Sequence, residues 1–283
     1  MAEDVASGSV AILAGSGDLP LLLAERVRAS GRECRILAFR GFASRAARAQ
    51  ADAIVGLLDL RGTLAWLERW APGSLALAGG LRRPDAGALL DAYSAFRSRS
   101  EIREVVARGD DNLLRGAIGV LEDRGFRLVG VRDLAPELMA EAGQYGVYRP
   151  DGGATGSIEV GFRLLRWVSS FDIGQSAVIT GYRVLAIEGP EGTDRMLARV
   201  RTVRRRGLLR RIERGGVLVK AAKAGQDLRV DMPAIGPTTM LNAARAGLAG
   251  VAIASGVTIL LNREETVREA DRLGLFLLGR DGA

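Results

Sequence analysis

The first half of the chain alternates short apolar runs with segments of helical composition. The apolar runs have the length of strands, and the alternating segments cover residues 10–14, 20–30, 34–39, 53–57, 64–70, 75–78, 86–96, 112–124 and 127–131. Such alternation predicts a parallel sheet with right-handed crossovers. Because only 5% of the residues are aromatic, the core should be aliphatic, as it is where helices pack on parallel strands. We therefore predict an α/β fold that begins with a doubly wound, Rossmann-like N-terminal domain.

Residues 135–156 separate two regions of regular pattern. Prolines and glycines are frequent in this segment, and they interrupt helices and strands. The chain then resumes its alternation, and a β-hairpin is predicted around Gly181 and Tyr182. We predict two lobes with the active site in the cleft between them. The predicted boundaries are a domain at 1–134, a linker at 135–156 and a catalytic C-terminal α/β domain at 157–283.

The composition excludes several kinds of active site. The chain has 283 residues and no histidine, so a Ser-His-Asp triad and a His-ligated zinc are ruled out. Its one cysteine, Cys34, lies in an apolar run and is interpreted as a core residue, and a disulfide-free chain fits a reducing cytoplasm. No apolar run reaches the length of a membrane span, so any membrane contact is expected to be peripheral. Acid–base and metal chemistry must fall to Asp, Glu, Lys or Tyr.

The net charge of +7 favours anionic partners such as nucleotides, phosphorylated lipids or an anionic membrane surface. Nucleic acid is not expected, because the arginines are not interleaved with exposed aromatic residues and no recognition motif is present. The alternative is a set of solvated helix faces, and the dense basic run at 199–214 fits that interpretation.

The richest polar stretch lies at residues 220–239, before a Pro/Gly-broken turn and an apolar helix. Six charged or amide side chains fall within twelve residues: Lys220, Lys223, Gln226, Asp227, Arg229 and Asp231. Cations next to carboxylates suit a site that neutralises phosphate oxygens while it holds a metal or a water. Alternation around Leu228 and Val230 predicts a short strand whose one face carries Asp227, Arg229 and Asp231. A surface ion-pair cluster is the alternative for any one of these residues.

The loop of Gly15, Ser16, Gly17 and Asp18 follows the first predicted strand, where doubly wound folds bind phosphates. A complete dinucleotide fingerprint is absent, because Pro20 stands at its third glycine position. The loop is predicted either to contact substrate phosphate or sugar or to form an ordinary tight turn. Asp18 is a candidate cap for the next helix.

Three further polar turns precede helices or strands. Asp110 and Asp111 lead into a helix, where they either cap it or bind a hard cation. Gln175 begins a strand, where it either contacts a ligand or caps the turn. Gly192 and Thr193, with Asp194 after them, form either an anion-binding nest or a helix cap.

Taken in chain order, these motifs resemble one family over nearly the whole sequence. The chain is similar to the LpxI-type UDP-2,3-diacylglucosamine pyrophosphatases, and the matching motifs lie at residues 12–20, 109–115, 172–175, 191–194, 229–236, 243–250 and 271–277. The resemblance implies a cytoplasmic step of lipid A assembly that depends on Mg²⁺, with Mn²⁺ or Co²⁺ as further candidate metals. Water would attack the phosphorus next to uridine and release UMP and 2,3-diacylglucosamine 1-phosphate, known as lipid X.

The resemblance also assigns residues. The aspartate that the family needs for catalysis falls on Asp231. The chain departs from the family pattern at Met232, Ala234 and Ala224, and Ala234 lacks a hydroxyl that the family often carries. The Gly15-Ser16-Gly17 turn stands where a three-glycine run is commoner. Peripheral contact with the inner membrane and a homodimer are further expectations.

Both approaches lead to the same candidate site. Lys220, Lys223 and Arg229 are predicted to stabilise charge on the diphosphate, and Asp231 to bind the metal or orient the attacking water. Substrate contacts are predicted at Gly15, Ser16, Gly17, Asp18, Gln175, Gly192, Thr193 and Gln226. The candidate metal ligands are Asp231, Asp194, Asp110 and Asp111, with Asp227 as a further possibility. The alternatives are a non-catalytic protein that binds a nucleotide sugar or lipid phosphate, and a nucleic-acid-associated protein.

Overall fold

The chain divides into two compact units, Met1–Pro136 and Glu137–Ala283. The structure, a computed structural model, describes residues 8–81, 110–171, 173–205 and 215–281, and for residues 110–115 and 117 it describes the backbone alone. The predicted helix at 86–96 lies outside the described residues. Each unit contains its own sheet and is described by itself below.

Unit 1 is built on a four-stranded parallel sheet in the order β3-β2-β1-β4. The chain runs outward from β1 to β3 and then returns to the other side of β1, which is the strand order of a doubly wound fold. The predicted fold class is therefore confirmed. Its strands are β1 Val10–Ala14, β2 Cys34–Phe39, β3 Ala53–Val55 and β4 Ser74–Ala78, and its helices are α1 Leu19–Ala29, α2 Arg45–Ala49, α3 Leu60–Trp70, α4 Asp110–Asp123 and α5 Val131–Leu134.

The central strands of unit 1 are buried on both faces, as continuous apolar runs require. Ile12 has no exposed surface and pairs with Ile36 of β2 and Ala76 of β4. Each such Ile or Leu side chain contributes about 1.5–3 kcal/mol by leaving water. Cys34 is buried too, and burial raises the pKa of its thiol to about 11, in agreement with its interpretation as a core residue.

The strand predicted at residues 127–131 is reduced to a single bridge between Leu128 and Leu75 of β4. The extended segment ends because helix α5 begins at Val131, and the Asp133 carboxylate accepts a hydrogen bond of 2.8 Å from the N–H of Gly130. This is a local capping interaction that outcompetes further pairing.

Unit 2 contains a six-stranded mixed sheet in the order β5-β12-β10-β8-β6-β7. The neighbouring strands β12, β10 and β8 run parallel, and β5, β6 and β7 pair antiparallel with their neighbours. A separate pair is formed by β9 and β11. The strands are β5 Gly143–Tyr145, β6 Ser176–Thr180, β7 Arg183–Ile187, β8 Val217–Lys220, β9 Ala234–Ile235, β10 Gly250–Ala254, β11 Ile259–Leu260 and β12 Phe276–Arg280, and the helices are α6 Gly152–Val168, α7 Thr193–Arg205, α8 Pro237–Arg245 and α9 Arg263–Arg272.

Alternation along the strands of unit 2 assigns each side chain to one of two cores. Leu218 and Val178 pack with α7, α8 and α9 on one face, whereas Val217, Val219 and Ile179 pack with α6 on the other. Helix α6 packs closely on its face of the sheet, where Gly161 leaves room for Val219: a Cβ at Gly161 would lie 2.4 Å from a methyl carbon of Val219. Side chains that continue the Leu218 row therefore face α7.

The segment 135–156, predicted to be a linker, belongs to unit 2 from Glu137 onward. Its residues form a short 3₁₀ helix, the edge strand β5 against β12, and the first turns of α6. The glycines are frequent there because the chain turns sharply around a three-residue strand: Gly143 and Gly146 both adopt positive φ. The predicted hairpin of β6 and β7 is confirmed, with positive φ at both Gly181 and Tyr182.

Within the described ranges, no helix is long and apolar enough to cross a bilayer.

Candidate active site

Lys220 is the last residue of β8 and lies at the carboxyl end of the Leu218 row. Its side chain faces α7, where its Nζ donates a hydrogen bond of 2.9 Å to Oγ1 of Thr193. Only 8% of Lys220 is exposed. Burial lowers the pKa of the ammonium, and the carboxylates of Glu188, Asp194 and Asp231 oppose this shift. The site therefore holds one buried amine facing three acidic side chains.

Asp231 is anchored by two amide side chains. Its Oδ2 accepts hydrogen bonds from Nε2 of Gln175, at 3.2 Å, and from Nε2 of Gln226. The Gln226 amide is itself oriented, because its Oε1 accepts a hydrogen bond of 2.9 Å from the N–H of Lys223. Gln175 is fixed by a backbone hydrogen bond from Ala221 to its carbonyl. These contacts hold the carboxylate plane in one orientation close to Lys220.

The strand predicted around Leu228 and Val230 is wrong. The N–H groups of Val230 and Asp231 both donate to the carbonyl oxygen of Asp227 at 3.1 Å, so this stretch is a tight turn. The cause is local: the Asp227 carboxylate accepts hydrogen bonds from the backbone N–H and the guanidinium of Arg229, the shortest at 2.7 Å. Asp227 and Arg229 thus form an ion pair two residues apart, and the one-face arrangement predicted for the stretch is not observed.

The start of helix α7 carries the next part of the site. The turn before it uses a positive φ at Gly192, and Thr193 is the first helical residue. Asp194 lies one residue further on, and its Oδ1 accepts a hydrogen bond of 2.9 Å from Nδ2 of Asn242 on α8. Thr193 and Asp194 therefore reach Lys220 from the side of the helices, while Asp231 reaches it from the loop after β8.

A row of polar residues crosses three strands beneath these groups. Ser176 of β6 is the cross-strand partner of Lys220, and the N–H of Glu188, just after β7, donates to the Ser176 carbonyl. Ser176 has no exposed surface, and its hydroxyl donates a hydrogen bond of 2.6 Å to Oε2 of Glu188. Ser176 Oγ also lies 3.4 Å from Thr193 Oγ1.

The other predicted site residues lie in unit 1. Ser16 and Gly80 exchange backbone hydrogen bonds, and Ser16 Oγ donates to the Gly80 carbonyl, so the Gly15–Asp18 loop packs against the end of β4. A Cβ at Gly15 would lie 2.7 Å from that carbonyl oxygen. Asp18 occupies the N-cap position of α1 as predicted, but its side chain makes no capping hydrogen bond. Contact of this loop with substrate stays a prediction.

Two of the candidate metal ligands lie in unit 2 and two lie in unit 1. Asp194 and Asp231 both act on Lys220. Asp110 and Asp111 begin α4, and their side chains lie outside what the structure describes. Across the described part of the chain, no three acidic or cysteine side chains come close enough to hold one cation. Two carboxylates suit Mg²⁺, which usually takes one or two of them and completes its shell with water and substrate phosphates.

Sequence reasoning missed Glu188, Ser176 and Asn242, because strand pairing and helix packing bring them to the site from distant positions. One feature of the composition points to the site directly. The chain has 40 Lys and Arg residues, and only two are lysines, Lys220 and Lys223. Since arginine supplies nearly all of the surface charge, the two lysines mark the one region where a compact ammonium is used.

A buried ammonium beside an anchored carboxylate, at the end of an α/β sheet, is an arrangement that suits phosphate chemistry and needs no histidine. Comparison with protein families agrees with this chemistry. Residues 9–138 match the LpxI N-terminal domain and residues 141–278 match the LpxI C-terminal domain, so the chain belongs to the LpxI family.

A curated relative comes from Caulobacter vibrioides and is named UDP-2,3-diacylglucosamine pyrophosphatase LpxI. It is 35% identical over 270 residues, which cover 95% of this chain and 96% of the relative. The two matched domains also meet close to the division between the two units at Pro136 and Glu137.

Proposed function

We propose that this protein hydrolyses the diphosphate of UDP-2,3-diacylglucosamine in lipid A biosynthesis. Water attacks the uridine-side phosphorus, and the products are UMP and 2,3-diacylglucosamine 1-phosphate. The observation that carries this proposal is the buried Lys220 beside the anchored Asp231, in a chain whose relative in Caulobacter vibrioides bears the name of this activity.

Lys220 supplies positive charge where the reaction develops negative charge. The phosphorus under attack accumulates charge on its oxygens, and the leaving lipid phosphate carries more. An ammonium that is already desolvated and held by Thr193 stabilises this charge without reorganising solvent. Lys223 and Arg229, on the following loop, add positive charge for the rest of the diphosphate.

Asp231 acts on the attacking water, either by orienting it and accepting its proton or by holding the cation that binds it. Both roles need a carboxylate fixed in direction, and the amides of Gln175 and Gln226 supply that constraint. Asp194, held by Asn242, provides the second carboxylate. Gly192 shapes the turn with its N–H bonded to the Gly189 carbonyl, and the first turn of α7 presents backbone N–H groups beside Thr193, which suits a phosphate oxygen.

The donor set fits Mg²⁺, with Mn²⁺ or Co²⁺ as substitutes. Asp231 and Asp194 would hold the cation, and substrate phosphates and water would complete its shell. When bound, the cation neutralises phosphate charge and lowers the pKa of its water. Asp110 and Asp111 remain further candidate ligands.

The activity is tested by following UMP release from UDP-2,3-diacylglucosamine in the presence of Mg²⁺. We expect turnover that EDTA abolishes and that added Mg²⁺ restores. UDP-glucose, which lacks the acyl chains, serves as the comparison substrate and should be turned over poorly. A folded protein that binds the substrate without releasing UMP would instead be a nucleotide-sugar or lipid-phosphate binding protein.

A lipid substrate also requires access from a membrane, and we propose peripheral docking on the cytoplasmic face of the inner membrane. Two aromatic side chains at the C-terminal end of α6 and in the 3₁₀ turn that follows it support this: Trp167 is 82% exposed and Phe171 is 75% exposed. Arg163 and Arg166 lie exposed on the same helix, and this combination suits an anionic lipid surface. The segment is tied to the site, because Ser169 Oγ accepts a hydrogen bond from the N–H of Ala224.

Docking is tested by sedimentation with vesicles that contain anionic lipid. We expect the bound fraction to fall several-fold in the variant Trp167→Ala/Phe171→Ala. The variant Val147→Ala/Tyr148→Ala, which removes two other exposed apolar side chains, is the matched control. Equal binding of the wild type and the Trp167/Phe171 variant would refute docking through this segment.

A further inference from the structure

The polar row beneath Lys220 continues beyond the groups assigned to the reaction. Glu188 just after β7, Ser176 on β6 and Lys220 on β8 lie next to one another, and all three face the core that contains α7. Glu188 is the last member of the row and has no part in the proposed chemistry. Among the three carboxylates that raise the pKa of Lys220, it has the largest effect.

One arrangement of the hydroxyl protons satisfies all three contacts in this row. Ser176 has a single hydroxyl proton, and the 2.6 Å hydrogen bond to Glu188 uses it. The 3.4 Å approach of Ser176 Oγ to Thr193 Oγ1 therefore relies on the proton of Thr193. Thr193 Oγ1 is then left to accept from Lys220 Nζ. The donors thus run in one direction, from the ammonium through two hydroxyls to the carboxylate.

The other two carboxylates that face Lys220 have different partners. Asp194 accepts from Asn242, and Asp231 accepts from Gln175 and Gln226. Both are also assigned to the cation or the water, so their charge is shared with other groups during the reaction. Glu188 is the carboxylate whose contacts connect to Lys220 through the sheet itself.

We propose that Glu188 is a positioning residue, which acts through Ser176 and Thr193 to hold the Lys220 ammonium directed at the diphosphate. The proposal rests on the function proposed above. It gives Ser176 and Thr193 a defined role as the connection between a charge and the amine it supports.

The order of the Lys220 side chain can be measured without substrate. Since the chain has two lysines, protein labelled with ¹³C at lysine Cε should give two resonances, and Lys223→Arg assigns them. At a single pH, we expect Glu188→Gln, which keeps size and hydrogen bonding, to lower the ¹³C order parameter of Lys220 Cε towards that of Lys223. Glu159→Gln, which removes the carboxylate of an exposed ion pair with Arg280, should leave the Lys220 order parameter unchanged.

The same variant is then assayed for UMP release. In Glu188→Gln we expect kcat to fall by about tenfold with KM within about threefold of wild type, because Lys220 loses its fixed direction. An unchanged order parameter of Lys220 would overturn the proposal, as would wild-type kcat in the variant. A wild type without UMP release would refute the proposed function, whereas the NMR measurement would still test the positioning of Lys220.

Ser176→Ala tests the hydroxyl connection separately and serves if Glu188→Gln does not fold. It leaves the Glu188 charge in place but removes the hydroxyl that links it to Thr193. We expect kcat to fall by about tenfold at every pH, with KM within about threefold of wild type, because Lys220 loses its fixed direction. Ser176→Thr, which retains the hydroxyl, should recover part of the loss. Wild-type kcat in Ser176→Ala would show that the hydroxyl chain is not used.

Discussion

Asp231→Asn is expected to lower kcat for UMP release by about three orders of magnitude. Asparagine has the same shape, and its side-chain oxygen can still accept hydrogen bonds from Gln175 and Gln226. The loop should therefore keep its conformation while it loses the negative charge that orients water or holds the cation. Substrate affinity should stay close to that of wild type or increase, because a carboxylate next to a diphosphate repels it.

The matched control for this substitution is Asp281→Asn, which makes the same chemical change at an exposed residue near the end of β12. It should retain wild-type kcat. Comparable activity in Asp231→Asn and wild type would mean that the anchored carboxylate is not part of the reaction. A parallel loss of kcat and of folded protein, seen by circular dichroism, would assign Asp231 a structural role.

Lys220→Met is expected to lower kcat/KM by about two to three orders of magnitude, the effect of removing one preorganised donor to developing charge. The pH profile makes this prediction specific. Burial lowers the pKa of Lys220 from its ordinary value of 10.5, so wild-type kcat/KM should fall on the alkaline side at a pH below 10.5. The Lys220→Met variant should lack this fall. An alkaline fall of kcat/KM caused by deprotonation of the substrate's uracil ring would persist in both proteins.

The lowered pKa of Lys220 also makes the free energy of unfolding depend on pH, in a direction that can be worked out. The folded protein releases the Lys220 proton at a lower pH than the unfolded chain does. Between the two pKa values the unfolded chain binds more protons, so the free energy of unfolding should rise with pH in that window. Lys220→Met should remove this contribution, as urea denaturation at several pH values would show. An identical alkaline limb and an identical pH dependence of stability in the variant would contradict the assignment.

Most regular elements could be predicted from the sequence, because their apolar runs and helix starts are local. Strands β1, β2 and β4 are found within a residue or two of their predicted positions, and the β6–β7 hairpin turns at the predicted residues. Errors occurred where a polar side chain competes for the backbone. The Asp133 carboxylate caps helix α5 where a strand was predicted. The Asp227 carboxylate binds the backbone N–H of Arg229 and so stabilises a tight turn.

The candidate site was predicted in part for a related reason. Lys220, Asp231 and Gln226 lie on one stretch of chain, so their concentration is visible without any structure. Glu188 and Ser176 reach Lys220 only through the pairing of three strands, and Asn242 reaches Asp194 only through the packing of α8 near α7. No spacing in the sequence encodes those contacts.

The measurement that tests the central claim most directly is hydrolysis of UDP-2,3-diacylglucosamine in ¹⁸O-labelled water with Mg²⁺, followed by mass spectrometry of both products. We predict one ¹⁸O atom in UMP, none in the lipid phosphate, and about a thousandfold slower formation of labelled product by Asp231→Asn. Label in the lipid phosphate would contradict attack at the uridine-side phosphorus. The absence of any labelled product from folded wild-type protein would contradict the hydrolase itself.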